Sequence, residues 1–193
     1  IRDNFLFSFL IGMSFFSSFF GNSAVQLMPV FARDILEAGP AGLGIMGSVL
    51  GAGTFCGILL AFYFSEYERK GFLLIGGATA YGTLLVLFAN STLFPVALFF
   101  LFFMGCCLQL YTITLQSTLQ LRVPDELRGR VMGVYGMTHN IGPLGAMQAG
   151  LIASIFGAPA AVSFAGLAII VFALAVAASR TEVRRLTVVA PSA

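Results

Sequence analysis

A chain of 193 residues has room for one domain, or two small ones. It is 59% hydrophobic and 9% charged, with 21 Phe, 22 Gly and a mean hydropathy of +0.97. Soluble domains carry about a quarter charged residues, so an ordinary soluble globule is excluded; so is a disordered chain, which would be polar and charged. Three Cys are too few for a secreted disulfide scaffold.

The placement of charge sets the class. Residues 4–32, 38–65, 71–121 and 131–179 form uncharged runs of 29, 28, 51 and 49 residues. A helix crosses the hydrocarbon core with about 20 apolar residues at about 1.5 Å each. The two shorter runs hold one span each. The longer two hold two each, broken at Asn90-Ser91-Thr92 before Pro95 and at Gly157-Ala158-Pro159. The sequence therefore predicts an all-α membrane protein whose residues 1–180 form six spans, at 5–31, 40–64, 71–90, 94–119, 130–154 and 159–179, followed by a tail at 181–193. The runs do not alternate as barrel strands do.

An even number of spans puts both ends of the chain on one side. That side carries Arg2, Arg69, Lys70, Arg122, Arg128, Arg130, Arg180, Arg184 and Arg185, whereas the other has only Arg33, offset by Asp34 and Glu37. The excess of basic residues marks the cytoplasmic side. The tail after Arg180 reads as an anchor on anionic lipid. Short connections predict that consecutive spans are neighbours. No extramembrane domain is available to bind nucleic acid, and the absence of a GxxxxGK[ST] loop argues against ATP hydrolysis. Beginning at Ile1 without a signal-peptide pattern, the chain is expected to be a piece of a longer protein.

Polar residues within the spans come next, in chain order. The first span has Ser14, Ser18, Asn22 and Gln26 at steps of four, on one slowly drifting face. In the second, Gly47/Gly51 and Gly53/Gly57 are small-residue pairs suited to close helix approach. Gln109, Thr112, Gln116 and Gln120 follow one face of the fourth, and Tyr135, His139 and Gly142 one face of the fifth. Pro143 lacks an N–H, so a kink is expected at Gly142-Pro143. Cys56, Cys106 and Cys107 have no metal-ligand partners and read as packing residues.

Amides in hydrocarbon are costly unless paired. They belong on the bundle interior, against a partner or along a water-filled path. Asn22, Gln26, Gln109, Thr112, Gln116, Tyr135 and His139 are thus candidates for a substrate pathway; the alternative is hydrogen-bonding glue between helices. His139, the single His, is the one group within a span that titrates near neutral pH, and a candidate proton carrier. No Asp, Glu, Lys or Arg lies within the spans, which points to a neutral, largely apolar substrate. No catalytic set, metal site or cofactor is expected. The loops at 65–71 and 122–130 mix charges: Glu66 and Lys70 in one, Asp125, Glu126, Arg128 and Arg130 in the other. Pro124 opens a turn whose positive end lies near Asp125 and Glu126. Such loops are candidate gates, able to latch different partners in two conformations.

The run Val123-Pro124-Asp125-Glu126-Leu127-Arg128-Gly129-Arg130-Val131-Met132-Gly133, preceded by Leu115-Gln116-Ser117-Thr118 and followed by Gly142-Pro143-Leu144-Gly145, resembles the major facilitator superfamily. It is most similar to the bacterial drug, macrolide and enterobactin exporters. The resemblance implies the second six-helix half of a twelve-helix transporter in the bacterial inner membrane. It further implies alternating access around a central site, proton-coupled antiport of a small molecule, and a missing N-terminal half as partner. The loop at 65–71 departs from the family pattern: Tyr67 stands where a basic residue is common and Arg69 replaces an expected Gly. The competing classes are a non-transporting receptor or assembly factor, and a six-span subunit that works as a homodimer.

Overall fold

In a computed structural model, the backbone is described for residues 2–64, 70–123 and 125–179, and side chains from Ile11 to Ala178 except 65–70, 122, 124–127 and 139. Among the described residues, eight α-helices follow one another: α1 Arg2–Gly21, α2 Ser23–Val30, α3 Gly39–Tyr63, α4 Lys70–Ala89, α5 Phe94–Arg122, α6 Asp125–His139, α7 Gly142–Phe156 and α8 Ala158–Ser179. A π-helical turn, Phe31–Ile35, follows α2.

Among the described residues, four stretches are long and apolar enough to cross a membrane: Gly39–Tyr63, Gly71–Ala89, Phe94–Leu121 and Ala158–Ala178. They fall on the predicted second, third, fourth and sixth spans. The predicted first and fifth are interrupted, at Asn22 between α1 and α2 and at Asn140–Ile141 between α6 and α7. Pro40, Pro95 and Pro143 sit in the first turns of α3, α5 and α7, where a missing N–H costs no hydrogen bond. Gly157, at φ 88°, closes α7 in a conformation that glycine adopts without steric cost.

Glycine decides which helices pair. A Cβ on Gly53 would meet the carbonyl oxygen of Phe102, one on Gly105 that of Leu50, and one on Gly57 would lie 2.5 Å from that of Cys106. The α3 and α5 backbones therefore run in direct contact. On the other side of the bundle, a Cβ on Gly82 would lie 2.8 Å from the Gly166 carbonyl oxygen, and one on Gly166 would lie 2.6 Å from that of Gly82. This draws α4 and α8 together. Close approach of this kind lets dispersion act along whole helix faces, the main attraction left when lipid is as apolar as the side chains. Consecutive spans are thus not always the closest neighbours: α3 packs along α5 rather than α4. Of the predicted glycine pairs, Gly53/Gly57 makes the contact, while Gly47 and Gly51 have nothing within 4 Å.

Between these pairs lie Leu74, Leu85, Phe88, Leu101, Met104, Leu119 and Val162, all fully buried. Phe16 stacks on Phe172 at 4.1 Å and Phe31 lies against Phe88 at 4.7 Å, tying α1 and the π turn to α8 and α4. The interrupted helices α1, α2, α6 and α7 gather beside this frame.

Candidate functional site: a polar cavity between α1, α5 and α6

A cavity of about 380 Å³ is lined by Ser14, Ser17, Ser18, Gly21 and Asn22, by Leu108, Gln109, Tyr111, Thr112 and Leu115, and by Tyr135. Residues three and four apart share a helix face. The serines of α1 therefore point together with Asn22, and Leu108, Tyr111, Thr112 and Leu115 form one stripe of α5 with Gln109 at its edge. No charged residue lines the cavity among the described residues.

Hydrogen bonds account for most of the polar groups around it. The Tyr81 hydroxyl of α4 donates to the Gly21 carbonyl at 2.6 Å, at the point where α1 breaks. Ser23 Oγ donates to the Phe20 carbonyl at 2.8 Å. A helix interruption in hydrocarbon persists only where its backbone groups find partners, and these two hydroxyls supply them. Thr138 Oγ1 donates to the Tyr135 carbonyl at 2.8 Å and lies 2.9 Å from Ser14 Oγ. With its own proton committed, Thr138 accepts from Ser14, and this bond ties α1 to α6. Thr112 Oγ1 donates to the Leu108 carbonyl at 2.8 Å, which leaves only its lone pairs to the cavity.

Other groups are unspent. The Tyr111 hydroxyl is buried close to the Ser17 side chain, with Tyr135 nearby, but no hydrogen bond of good geometry satisfies it. Gln148 Oε1 on α7 is a second buried oxygen without a partner. Among the described residues, no hydrogen bond engages the side-chain amides of Asn22 and Gln109. The cavity thus offers amide donors and acceptors together with a phenol donor, on walls otherwise made of apolar atoms and hydroxyls.

Of the candidate residues, Asn22, Gln109, Thr112 and Tyr135 lie together around this cavity. Gln26 is not among the lining residues and is exposed on α2. Steps of four drift by about 40° each at 3.6 residues per turn, so Gln26 lies about 120° from Ser14. Gln116 is half-buried one turn beyond Thr112, past the end of the lining. Gly142 lies against Asn22: a Cβ there would sit 3.2 Å from Asn22 Nδ2. The interruption expected at Gly142-Pro143 falls upstream, at Asn140–Ile141, because a proline ring clashes with the carbonyl four residues earlier. Arg128 and Arg130 are exposed on α6. Glu66 and the side chains of Lys70, Asp125, Glu126 and His139 lie outside the described residues, as does the tail at 181–193.

Sequence reading missed Ser17, Tyr111 and the two supports Tyr81 and Thr138. A usable signal existed for the tyrosines, since a buried Tyr hydroxyl needs a partner or a ligand.

The helices superpose on those of a peptide transporter of the POT type, crystallised with sulfate, with a TM-score of 0.80 at 12% identity. The match covers 94% of this chain and 39% of that one, so the chain spans well under half of that transporter's length. A likeness at this identity shows the fold alone: the described helices share the all-α arrangement of part of that transporter. Residues 7–192 match the family described as transmembrane secretion effector, and the chain belongs to that family. No curated protein matches it in sequence.

Proposed function

We propose that the chain is a six-helix half of a secondary-active exporter for small, largely apolar compounds, working by proton-coupled alternating access. The interrupted helices α1–α2 and α6–α7 are the first and fifth spans of that half. A preceding six-helix half of the same protein closes the cavity from the opposite side. Both ends of this chain face the cytoplasm, and the protein sits in the bacterial inner membrane. The observation that carries the reading is the cavity between α1, α5 and α6, which holds an unpartnered buried phenol and unpaired amides but, among the described residues, no charge. Such a site recognises a neutral molecule with one or two polar groups. A receptor or assembly factor predicts a fully packed interior instead.

Alternating access moves one bundle against the other around a fixed site. The two breaks, at Asn22 and at Asn140–Ile141, lie where α1–α2 and α7 meet, and they supply the local bending such a movement needs. The loop residues Asp125, Glu126, Arg128 and Arg130, with Glu66 and Lys70, are proposed to latch the cytoplasmic side in one of the two states. His139 is proposed to carry the proton.

The test is efflux of a panel of neutral and charged fluorescent compounds from cells expressing the intact gene, with and without a protonophore. Energy-dependent loss of neutral compounds that stops when the gradient collapses is expected. Efflux that persists without a proton gradient overturns the coupling, and no efflux of any compound favours the non-transporting class. A His139→Gln variant that keeps the wild-type pH profile of transport removes the proton role.

A further inference from the structure

Sulfur gathers where α3 and α5 are sealed together. Cys56 stands beside Gly57, and a Cβ on Gly57 would lie 2.5 Å from the Cys106 carbonyl oxygen. One turn back, Gly53 lies on the Phe102 carbonyl. Gly105, the neighbour of Cys106, lies on the Leu50 carbonyl, and a Cβ there would be 2.9 Å from the Thr54 nitrogen. Gly53 and Gly57 thus match Phe102 and Cys106 at equal steps of four, so the two helices run parallel in a fixed register. That register sets Cys56 within one residue of the level of Cys106. The Cys106 thiol lies close to the Cys56 thiol, with Cys107 nearby. All three cysteines are free; Cys106 is buried and the other two half-buried. Cys106 also lies about 160° around α5 from Leu108 of the polar cavity, so the thiol pair is off that cavity. Spacing in the sequence shows no partner for either cysteine; the parallel crossing supplies one.

We propose that Cys56 and Cys106 form a binding site for a thiophilic, two-coordinate divalent metal ion, mercury(II), held as a bridge between α3 and α5. Ligand number, charge and spacing select the ion. Among the described residues, no three His, Cys, Asp or Glu come together as a metal site, so the pair offers two ligands and no more. Zinc takes four ligands, and calcium takes six or more oxygens. Thiolates instead select soft ions. Two thiolates cancel a double positive charge, and a neutral centre is what a hydrocarbon setting tolerates, since an uncompensated charge there is costly. Copper(I) or silver(I) between the same thiolates would leave a net negative charge. Two metal–sulfur bonds in line, each about 2.3 Å, hold their sulfurs about 4.6 Å apart, the spacing of side chains in contact. A disulfide requires the sulfurs to close to about 2 Å.

Mercuric chloride supplies the ion as a neutral molecule able to enter an apolar site. Two mercury–chlorine bonds break and two mercury–sulfur bonds form. Both thiol protons leave with the chlorides as two HCl, and no electron is transferred. The bridge links helices whose backbones already touch, so neither helix has to move to accept it.

The experiment uses the full-length protein in nanodiscs, reduced and then freed of reductant. It is titrated with mercuric chloride, and blocked cysteines are mapped by mass spectrometry. The first equivalent is expected to block Cys56 and Cys106 together and to raise the unfolding midpoint, because the ion binds the folded pair. Methylmercury, with one open position, is expected to block one thiol per equivalent and to leave the midpoint unchanged. Cys56→Ser and Cys106→Ser are each expected to release mercury to about a hundredfold less competing dithiol, the loss of one of two tethered ligands. Cys107→Ser is expected to hold it as the parent does. Should a serine variant fail to fold, the map of blocked cysteines in the parent decides alone. Mercury held equally by the Cys56→Ser or Cys106→Ser protein, or found on Cys107 in place of Cys56, overturns the site. Equal competition by zinc overturns its two-coordinate character. Loss of two hydrogens without gain of mercury would show that the pair closes as a disulfide, and overturns the bridge. Because no readout is transport, these outcomes are separable from failure of the exporter reading.

Discussion

The two glycine-sealed helix pairs and the two interrupted helices solve the problem of membrane packing in opposite ways. Between α3 and α5, and between α4 and α8, side chains are removed at the crossing points so that backbone touches backbone, and every helix runs unbroken. In α1–α2 and α6–α7 the backbone itself is interrupted; the Tyr81 hydroxyl of α4 and the local Ser23 hydroxyl meet groups at the first break, and Thr138 and Asn140 bond back to the Tyr135 and Gly136 carbonyls before the second. The first arrangement leaves nothing to rearrange. The second leaves bonds that can be exchanged, and the polar cavity lies against it. α5 belongs to both: one face is sealed against α3, and another lines the cavity. The contrast teaches that rigidity and polarity are assigned to different helices of the same bundle, so substitutions on the two sides should fail differently.

The largest effect is expected at the sealed pairs. Gly53→Val places a branched side chain on the Phe102 carbonyl, which neither backbone can yield without separating α3 from α5. Overpacking of this kind costs about 3 kcal/mol or more. The readout is unfolding in a detergent titration together with the yield of protein in the membrane. Gly76→Val, at a glycine with nothing within 4 Å, is the control, and should stay within about 0.5 kcal/mol of the parent. Equal damage from both would show that helix propensity, not close approach, governs these positions.

Next comes the support of the first break. Tyr81→Phe removes the hydroxyl that donates to the Gly21 carbonyl and leaves that carbonyl buried without this donor. The expected cost is about 1–3 kcal/mol, read in the same titration. A neutral outcome would mean that the interruption at Asn22 closes into continuous helix once the donor is gone.

How far the sequence reveals these two regions follows from the range of the forces involved. The four long apolar helices are legible because freedom from charge over twenty or more residues is a property of each segment alone. The cavity stripe of α5 is legible only in part: the helical spacing names Gln109 and Thr112, but it also names Gln116 and Gln120, which the lining does not include, and passes over Leu108, Tyr111 and Leu115. The break at Asn22 is not. In sequence Asn22 is one more member of the Ser14–Ser18–Asn22–Gln26 series, and what stabilises the break is Tyr81, sixty residues away. Pro143 misleads by two residues, because its clash acts on the turn before it. Tyr111 was passed over since an aromatic residue in an apolar span reads as packing; only the three-dimensional arrangement shows that its hydroxyl has been left without a partner.

Smaller effects on stability are expected for the cavity amides. Asn22→Ala and Gln109→Ala remove side chains that make no hydrogen bond here, so the fold should lose less than about 1 kcal/mol. If they contact substrate, each should change the ratio of transport between two chemically different neutral compounds by about fivefold, the equivalent of one net hydrogen bond. The measurement is normalised to protein in the membrane. Unchanged ratios in both variants would return these amides to the role of helix glue and move the cavity's specificity elsewhere.

The smallest effect on stability, and the most informative about the site, is expected at Tyr111. Tyr81 and Tyr111 are both buried phenols in neighbouring helices, and Tyr→Phe makes the same chemical change at each. At Tyr81 it breaks a bond. At Tyr111 it deletes an oxygen that has none, and so relieves a desolvated donor rather than stranding an acceptor. Tyr111→Phe should therefore leave the unfolding midpoint unchanged within about 0.5 kcal/mol, or raise it. If the hydroxyl is kept for a ligand, the same variant should weaken transport of compounds that carry a hydrogen-bond acceptor while sparing those that carry none. A Tyr111→Phe protein that unfolds as easily as the Tyr81→Phe protein would show instead that the phenol is engaged within the fold, and the argument for a ligand at this position would fall.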